Sequence, residues 1–579
     1  MKKFKGISVF PGIVIGEAFV YDSAPPPVPR YFVRDEHVDK EINRYKEAVV
    51  RAKREIESLK DSHGDEETMG ILDSHLLMLD DPEFSTSIEA SLRDEQKNVE
   101  WVILDVSERY IKKLIAMDNE YFRDRVHDLR DVSNRLINHL LYRERLSLAD
   151  VSREVVLVCH DLMPSEAIQM NKRYIRGIAM DAGGRTSHTA ILARAFEIPA
   201  VLGLASITEN VSSGQTVILD GTAGEIIVDP TDDVLAEYGR KMREFEEYTV
   251  DLLSLNELPA ETKDGKRIFL KANIEVPDEI DSVIAHGADG VGLFRTEFLF
   301  MFSGRLPDED KQYAAYRRVL ESMKNKNVII RTLDLGGDKV LAGVIDNLDE
   351  HNPILGWRAI RFCLSNVDIF KTQLRALLRA SVYGNLSIMF PLVSSQQELL
   401  DALSILDDVK AELDAKSIPY DKNLRVGVMI EVPAAALTAD ILAQKVDFFS
   451  IGTNDLIQYT LAIDRGNEKV AYLYQPFNMG VLRLIRMTVE HAHRVGIPVS
   501  MCGEMAGDPL ATLLLLGLGL DELSMSPASI PEIKKLIRSV SLNECEELAG
   551  TVLSMTNTGD VLRFVEKKMK ELGVYGSEK

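Results

Sequence analysis

The run Gly183-Gly184-Arg185-Thr186-Ser187-His188-Thr189 sets an imidazole just past paired glycines and just before the helix-forming stretch Ala190-Ile191-Leu192-Ala193. A loop that enters a helix leaves unpaired backbone amides at the helix start, and these favour an incoming phosphoryl group. A neutral imidazole is a competent nucleophile toward phosphorus near pH 7. A lone histidine is ordinarily a satisfied structural residue. Here the flanking loop chemistry makes His188 the candidate nucleophile.

A second set of reactive groups lies far along the chain. Arg295 and Arg331 each close a β-type run, and Arg465 stands in Ala462-Ile463-Asp464-Arg465-Gly466. A guanidinium stays charged and grips phosphate oxygens with a planar fork, although most arginines merely solvate a surface. Glu431 and Asp455 close neighbouring runs, and two converging carboxylates suit Mg²⁺, which keeps water and substrate oxygens in its other positions. Either carboxylate taken alone pairs equally well with a nearby arginine. Clustered His and Cys are absent, which disfavours zinc. Cys502, in Met501-Cys502-Gly503-Glu504, is either inert packing or, at a strand end beside Gly503 and Glu504, a thiol able to donate a proton.

These groups need elements to hold them. Eight β-type runs separated by helical segments fill the last 310 or so residues: 268–274, 290–298, 328–335, 386–393, 425–432, 448–456, 498–504 and 522–526. Strand and helix alternating in this way predict a (β/α)8 barrel, whose catalytic groups sit at the C-terminal strand ends. The polar residues fall there repeatedly: Arg295 and Glu297, Arg331 and Asp334, Glu431, Asn454 and Asp455, Cys502 and Glu504. That regularity is the main sign of an active site.

Upstream, Val38, Ile42, Tyr45, Val49, Ala52, Ile56 and Leu59 fall on one helical stripe. Met69, Leu72, Leu76 and Leu79 repeat the pattern, as do the stripes from Val99 to Tyr110 and from Val126 to Leu140. They describe a helical bundle whose apolar stripes are core packing. Short strands around 154–158, 177–180, 216–219 and 225–228 form a sheet that Met1–Asp22 joins, so the bundle is an insertion. A polar helical stretch, Asp232 to Leu258, reads as a connector. The expected architecture is multidomain α/β. Its parts are a discontinuous α/β domain (1–32 and 144–230), a helical insert (33–143), a connector (231–260) and the barrel (261–579).

Bulk composition narrows the function. The chain has 579 residues, a formal net charge of -23 and four cysteines without CxxC spacing. So acidic a surface repels phosphate backbones, so nucleic-acid binding is not expected, while a basic partner is attracted. No apolar run is long enough for a membrane span or a secretory signal. The scattered cysteines fit a reducing cytoplasm.

Taken together, the stretches GGRTSHTAILAR (183–194), GVGLFRTEFLFM (290–301), RTLDLGGDK (331–339), NPILGWRAIR (352–361), IGTNDLIQYTLAIDRGN (451–467) and MCGEMAGD (501–508) resemble enzyme I of the phosphoenolpyruvate-dependent sugar phosphotransferase system. A weaker match, ILDSHLLMLDDPEF (71–84), falls in the bundle. The resemblance implies a swivelling phosphohistidine α/β domain with His188 phosphorylated on Nε2. It implies that Arg295, Arg331 and Arg465, with Asn454, hold phosphate, and that Arg358 is a further ligand of phosphoenolpyruvate. Glu431 and Asp455 would bind Mg²⁺, and Cys502 would protonate carbon three of the enolate. The helical insert would dock HPr, a small carrier whose own histidine accepts the phosphoryl group, and the barrel would form a homodimer.

Two relatives of that family fit less well. Pyruvate, phosphate dikinases and phosphoenolpyruvate synthases need a large ATP-binding region for which no segment has the length, and no GxxxxGK[ST] loop is present. Nitrogen-branch regulatory relatives usually carry an extra N-terminal sensory domain, whereas here the strand region begins at once. One departure stands out. The family commonly has threonine after Pro-Ser-Glu, where it helps orient the active histidine; this chain has Pro164-Ser165-Glu166-Ala167. Ala167 offers no side-chain hydrogen bond, so a modest rate effect is expected, testable by phosphorylating Ala167→Thr beside the parent.

Overall fold

A computed structural model of the chain describes all residues except 22–27, 63–71, 73–74, 117–119, 142–147, 149–150, 163–165, 167–169, 172, 184–192, 194–196, 302–305, 337–351, 465–466, 468 and 574–579. The chain forms two compact units, Met1–Thr249 and Val250–Met301 with Arg305–Lys579.

The first unit is built on a mixed eight-stranded sheet: β1 (Lys2–Lys5), β2 (Ile7–Phe10), β3 (Ile13–Tyr21), β4 (Val155–Cys159), β5 (Ile175–Met180), β6 (Ala200–Leu202), β7 (Thr216–Asp220) and β8 (Glu225–Val228). Their order is β1-β8-β7-β3-β4-β5-β6-β2, so the N-terminal strands do join the later ones. β3 through β6 run parallel, which places Tyr21, Cys159 and Met180 side by side at one sheet edge. Every residue of β4 is buried, as a central strand covered on both faces requires.

Between β3 and β4 the chain makes the helices Val38–Ser62, Pro82–Glu95, Val99–Ala116 and Glu120–Leu141. Val38, Ile42, Tyr45, Ala52 and Ile56 are buried along one stripe of the first helix, while Val49 is only partly so. The helix Pro82–Glu95 has no counterpart among the expected stripes. Its start is nonetheless written locally: the Asp81 carboxylate accepts from Glu83 N at 2.8 Å, and Pro82 occupies the first turn. The stretch expected as a connector forms the helix Asp232–Leu253, followed by turns. Its Tyr238 is buried in the first unit and donates to Glu225 at 2.7 Å, so the start of this helix is anchored rather than loose.

The second unit is a closed barrel of eight parallel strands: β9 (Phe269–Ile274), β10 (Gly290–Phe294), β11 (Asn327–Arg331), β12 (Asn385–Phe390), β13 (Arg425–Ile430), β14 (Phe448–Ile451), β15 (Val499–Met501) and β16 (Glu522–Met525). All eight expected strands are present, several shorter than expected. Phe298 lies in the helix Glu297–Met301, and Asn454 and Asp455 in the helix Thr453–Leu461, not at the end of a strand. Short apolar runs cannot separate a strand from the first turn of the helix after it, because both bury the same residues. A cluster of Leu293, Ile329, Met389, Met429, Phe448 and Cys502 fills the barrel, and a larger apolar layer lies between strands and helices.

Candidate active site

The C-terminal ends of the barrel strands carry a linked series of charges. Arg295 and Glu297 follow β10, Arg331 closes β11, Glu431 follows β13, Asn454 and Asp455 open the helix after β14, and Cys502 follows β15. Arg331 donates to Glu297, and its Nη2 lies 3.1 Å from Asp334 Oδ2. Arg358 Nη2 donates to both Asp334 oxygens at 2.9 Å, and its Nε to one of them at 3.2 Å. The same Nη2 reaches Asp455 Oδ2 at 3.3 Å. From Glu297 through Arg331, Asp334 and Arg358 to Asp455 the charge therefore alternates in sign. Arg295 stands beside this series, a third exposed, with Nη1 on Glu275 Oε1 at 2.6 Å.

Glu297, Arg331, Asp334 and Arg358 are all buried. Stripping such ions of water costs several kcal/mol each, about what removing one partner would expose. Burial works against the charge of Arg331, but Glu297 and Asp334 outweigh it and hold the guanidinium far above its usual range. Arg358 behaves alike: burial opposes its charge, and Asp334 and Asp455 restore it. Arg295 is also raised, burial again opposing and Glu275 prevailing. All three stay cationic. Among the described residues Arg331 Nε has no hydrogen-bond partner, so this buried arginine keeps a donor in reserve.

Among the described residues carboxylates outnumber guanidiniums here. Glu275, Glu297, Asp334, Glu431 and Asp455 face Arg295, Arg331 and Arg358. Burial, then Asp455, then Asp334 push Glu431 up to about 8. Its Oε1 accepts from Leu392 N at 2.6 Å. Among the described residues neither Glu431 Oε2 nor Asp455 Oδ1 is hydrogen-bonded. Two hard oxygens left open in a site with surplus negative charge suit a divalent cation. No group of three or more potential protein ligands gathers among the described residues, so water or substrate oxygens would complete such a site.

Backbone geometry keeps these groups close. Leu392, which donates to Glu431, has φ 55°, and Ala359, next to Arg358, has φ 54° with ψ -127°. Non-glycine residues rarely adopt such values, and those that do concentrate at functional sites. A Cβ at Gly452 would stand 2.7 Å from Glu431 Oε2, and one at Gly336 (φ 105°) 2.3 Å from Trp357 O. The bare glycines let the strand-end loops close on the Glu431 carboxylate and the Trp357 carbonyl.

Cys502 is 2% exposed and faces the barrel interior. Burial pushes its thiol up to about 11, so it stays protonated at neutral pH. Asn454 accepts from Glu504 N at 3.0 Å and donates to its carboxylate at 3.2 Å, linking the rims of β14 and β15.

The structure thus brings Arg295, Arg331, Arg358, Glu431, Asn454, Asp455 and Cys502 to one barrel mouth. His188, Arg465 and Ala167 lie outside the described residues. On the first unit, what is described is the frame of their loops. Tyr21 donates to the buried Glu166 at 2.9 Å, and Asp181 caps the helix Ile207–Asn210 by accepting from Ile207 N and Thr208 N. Asp334 stands among the polar strand-end residues expected from the sequence, but its part in joining Arg331 to Arg358 shows only in the structure. Glu275 and Tyr459 carry no sequence signal of their own and join the site through Arg295 and Arg358. Tyr459 donates to Ile354 O at 2.6 Å and accepts from Arg358 at 3.5 Å.

Comparison with known proteins agrees over nearly the whole chain. Residues 5–125, 151–224 and 251–542 match the N-terminal, mobile and PEP-binding domains of the PEP-utilising enzyme family. The phosphoenolpyruvate-protein phosphotransferase of Staphylococcus carnosus is 44% identical over 574 residues, 98% of this chain and 99% of the relative. The proteins of that name from Geobacillus stearothermophilus and Bacillus subtilis are 45% and 43% identical, over 98% of this chain and 98% and 100% of their own lengths.

Proposed function

Because the chain belongs to the phosphoenolpyruvate-protein phosphotransferase family, and so draws its phosphoryl group from phosphoenolpyruvate, we propose that His188 receives that group and passes it to a histidine of the carrier HPr. The barrel mouth carries this reading: buried guanidiniums, open carboxylate oxygens and a protonated thiol on the ends of adjacent strands. Arg295, Arg331 and Arg465, with Asn454, grip the phosphate, and Arg358 holds the substrate at the Asp455 side. Phosphoryl transfer asks mainly for in-line positioning and neutralised charge. The bridging P–O bond breaks as the P–N bond to His188 Nε2 forms. Cys502 then gives its proton to carbon three of the enolate, and pyruvate leaves. Glu431 and Asp455 are the residues to hold Mg²⁺, which supplies countercharge for phosphate and enolate oxygens.

HPr docks on the helical insert, where Leu77 is 61% exposed and the surplus of acid favours a basic partner. A second copy pairs through the barrel, where Leu437, Ile441 and Tyr472 are exposed apolar side chains. Among the described residues no helix is long and apolar enough to cross a membrane, and the four cysteines are free; both suit a cytoplasmic enzyme. The deciding experiment incubates parent and His188→Ala proteins with Mg²⁺ and phosphoenolpyruvate labelled in phosphorus. Acid-labile, alkali-stable label on the parent alone, with one pyruvate per phosphate, is the expected result. Purified HPr should then discharge it, and label persisting on His188→Ala would overturn the assignment.

A further inference from the structure

The contact between Arg358 and Asp455 sets a counter-ion already within the protein on an oxygen-rich group assigned above to a divalent cation. Arg358 is 4% exposed and fixed on one side by both oxygens of Asp334. Its Nη2 also reaches Asp455 Oδ2 at 3.3 Å, while Nη1 lies 3.5 Å from the phenolic oxygen of Tyr459. Among the described residues Asp455 thus has one oxygen engaged by a guanidinium and one open. A guanidinium and a divalent cation on the same carboxylate repel each other, and in a buried site that repulsion is little screened.

We infer that Arg358 is an internal competitor of the divalent cation: it neutralises Asp455 while the cation is away and must loosen its hold when the cation arrives. The inference rests on Glu431 and Asp455 being the cation's protein ligands. Its consequence is a coupling between the two ligands of the site. A cation on Asp455 frees Arg358 Nη2 from that carboxylate, and the freed donor faces the mouth where an anionic substrate binds. Cation and phosphoenolpyruvate then assist each other, although they touch different side chains. Asp334 keeps Arg358 through Nε and Nη2 throughout, so the guanidinium gives up only the single, longer Nη2 contact to Asp455.

The test measures binding rather than turnover. Mn²⁺, as a paramagnetic probe of the site, is titrated into the full-length protein without phosphoenolpyruvate, and free Mn²⁺ is read by electron paramagnetic resonance. Arg358→Gln should bind Mn²⁺ about tenfold more tightly than the parent, since a charge contact at this distance is lost. Arg295→Gln removes one positive charge from the same mouth without touching Asp455, and should tighten binding by no more than about threefold. Arg358→Lys keeps a charge for Asp334 but loses the paired Nε and Nη2 grip on Asp334 that fixes Nη2 toward Asp455; it should shift in the same direction and guards against misfolding of the glutamine variant. Equal effects of Arg358→Gln and Arg295→Gln, or no tightening in either Arg358 variant, would overturn the inference. Mn²⁺ binding untouched by Glu431→Gln and Asp455→Asn would instead remove the ligand assignment beneath it.

Discussion

The two ends of the barrel hold buried charge in opposite ways. At the floor, where the strands begin, Lys271 on β9 donates to Glu522 at 2.6 Å and to Asn327 at 2.9 Å. In this set, among the described residues, each charge has its partner. Asn327 completes the set by donating to Ser387 at 3.0 Å. At the mouth, carboxylates exceed guanidiniums, an arginine nitrogen lies unbonded, and the hydroxyls of Thr332 and Thr453 are buried without a partner among the described residues. A closed network serves only the fold. An open one leaves room for a ligand to finish it, and leaving a buried polar atom unbonded costs about 1–3 kcal/mol that only function repays.

The largest test of this contrast is Arg331→Met. At the mouth it should lower kcat/KM for phosphoenolpyruvate by about a thousandfold or more, as loss of a preorganised charge at a transferring phosphate does. It also takes the buried Arg331 cation away from Glu297 and leaves Asp334 to Arg358, so urea unfolding should show a loss of about 3–5 kcal/mol. Full stability with lost activity would mean that the mouth network carries no structural load.

Cys502→Ala comes next. It removes the proposed proton donor but no buried charge, so pyruvate formation should slow by about 10²–10⁴ while the unfolding midpoint stays close to the parent's. A thiol donates only below its pKa, and burial pushes this one up to about 11. In the parent, the proton-transfer step should therefore hold steady from neutral pH upward and fall only as pH nears that value. A fall centred near the ordinary thiol range of about 8.5 would show that the group is not buried in the working enzyme.

How much of this was legible in advance follows the same division. The mouth announced itself, because each strand end places its functional residue beside a turn, and Arg295, Arg331, Glu431 and Cys502 recur at that interval. The floor gave no signal: Lys271 and Glu522 lie 251 positions apart and meet only once the barrel closes. Asn273 was equally silent, though it donates to Cys502 O at 3.0 Å and accepts from Ser524 at 2.6 Å. Strand ends were overrun at Phe298 and Leu456 because those side chains continue the apolar pattern inside a helix. The helix Pro82–Glu95 is the one the expected stripes left out, although Phe84, Ile88 and Leu92 fall at helical spacing behind its Asp-Pro start.

At the floor the expected outcome reverses that of Cys502. Lys271→Met should cost about 3 kcal/mol by leaving Glu522 partly buried and unpaired, with KM and kcat within about twofold of the parent at a temperature where both proteins are folded. Adding Glu522→Leu should recover much of the loss, because an apolar pair can replace a buried ion pair of similar volume. A changed KM would mean that the floor is felt at the mouth.

The smallest effect separates burial from mere position. Arg425 belongs to the same floor, at the start of β13, but its side chain is exposed; it donates to Asp447 O at 3.0 Å and lies over Phe448 at 5.6 Å. Arg425→Met removes a positive charge only strands away from Lys271, yet it leaves no carboxylate stranded and retains an aliphatic stem over the ring. The expected change in unfolding free energy is within about 0.5–1 kcal/mol, with turnover unaltered. If Arg425→Met instead cost as much as Lys271→Met, the stabilising quantity would be positive charge at the floor as a whole, acting through its field, and not the closed hydrogen-bonded pairing that sets the floor apart from the mouth.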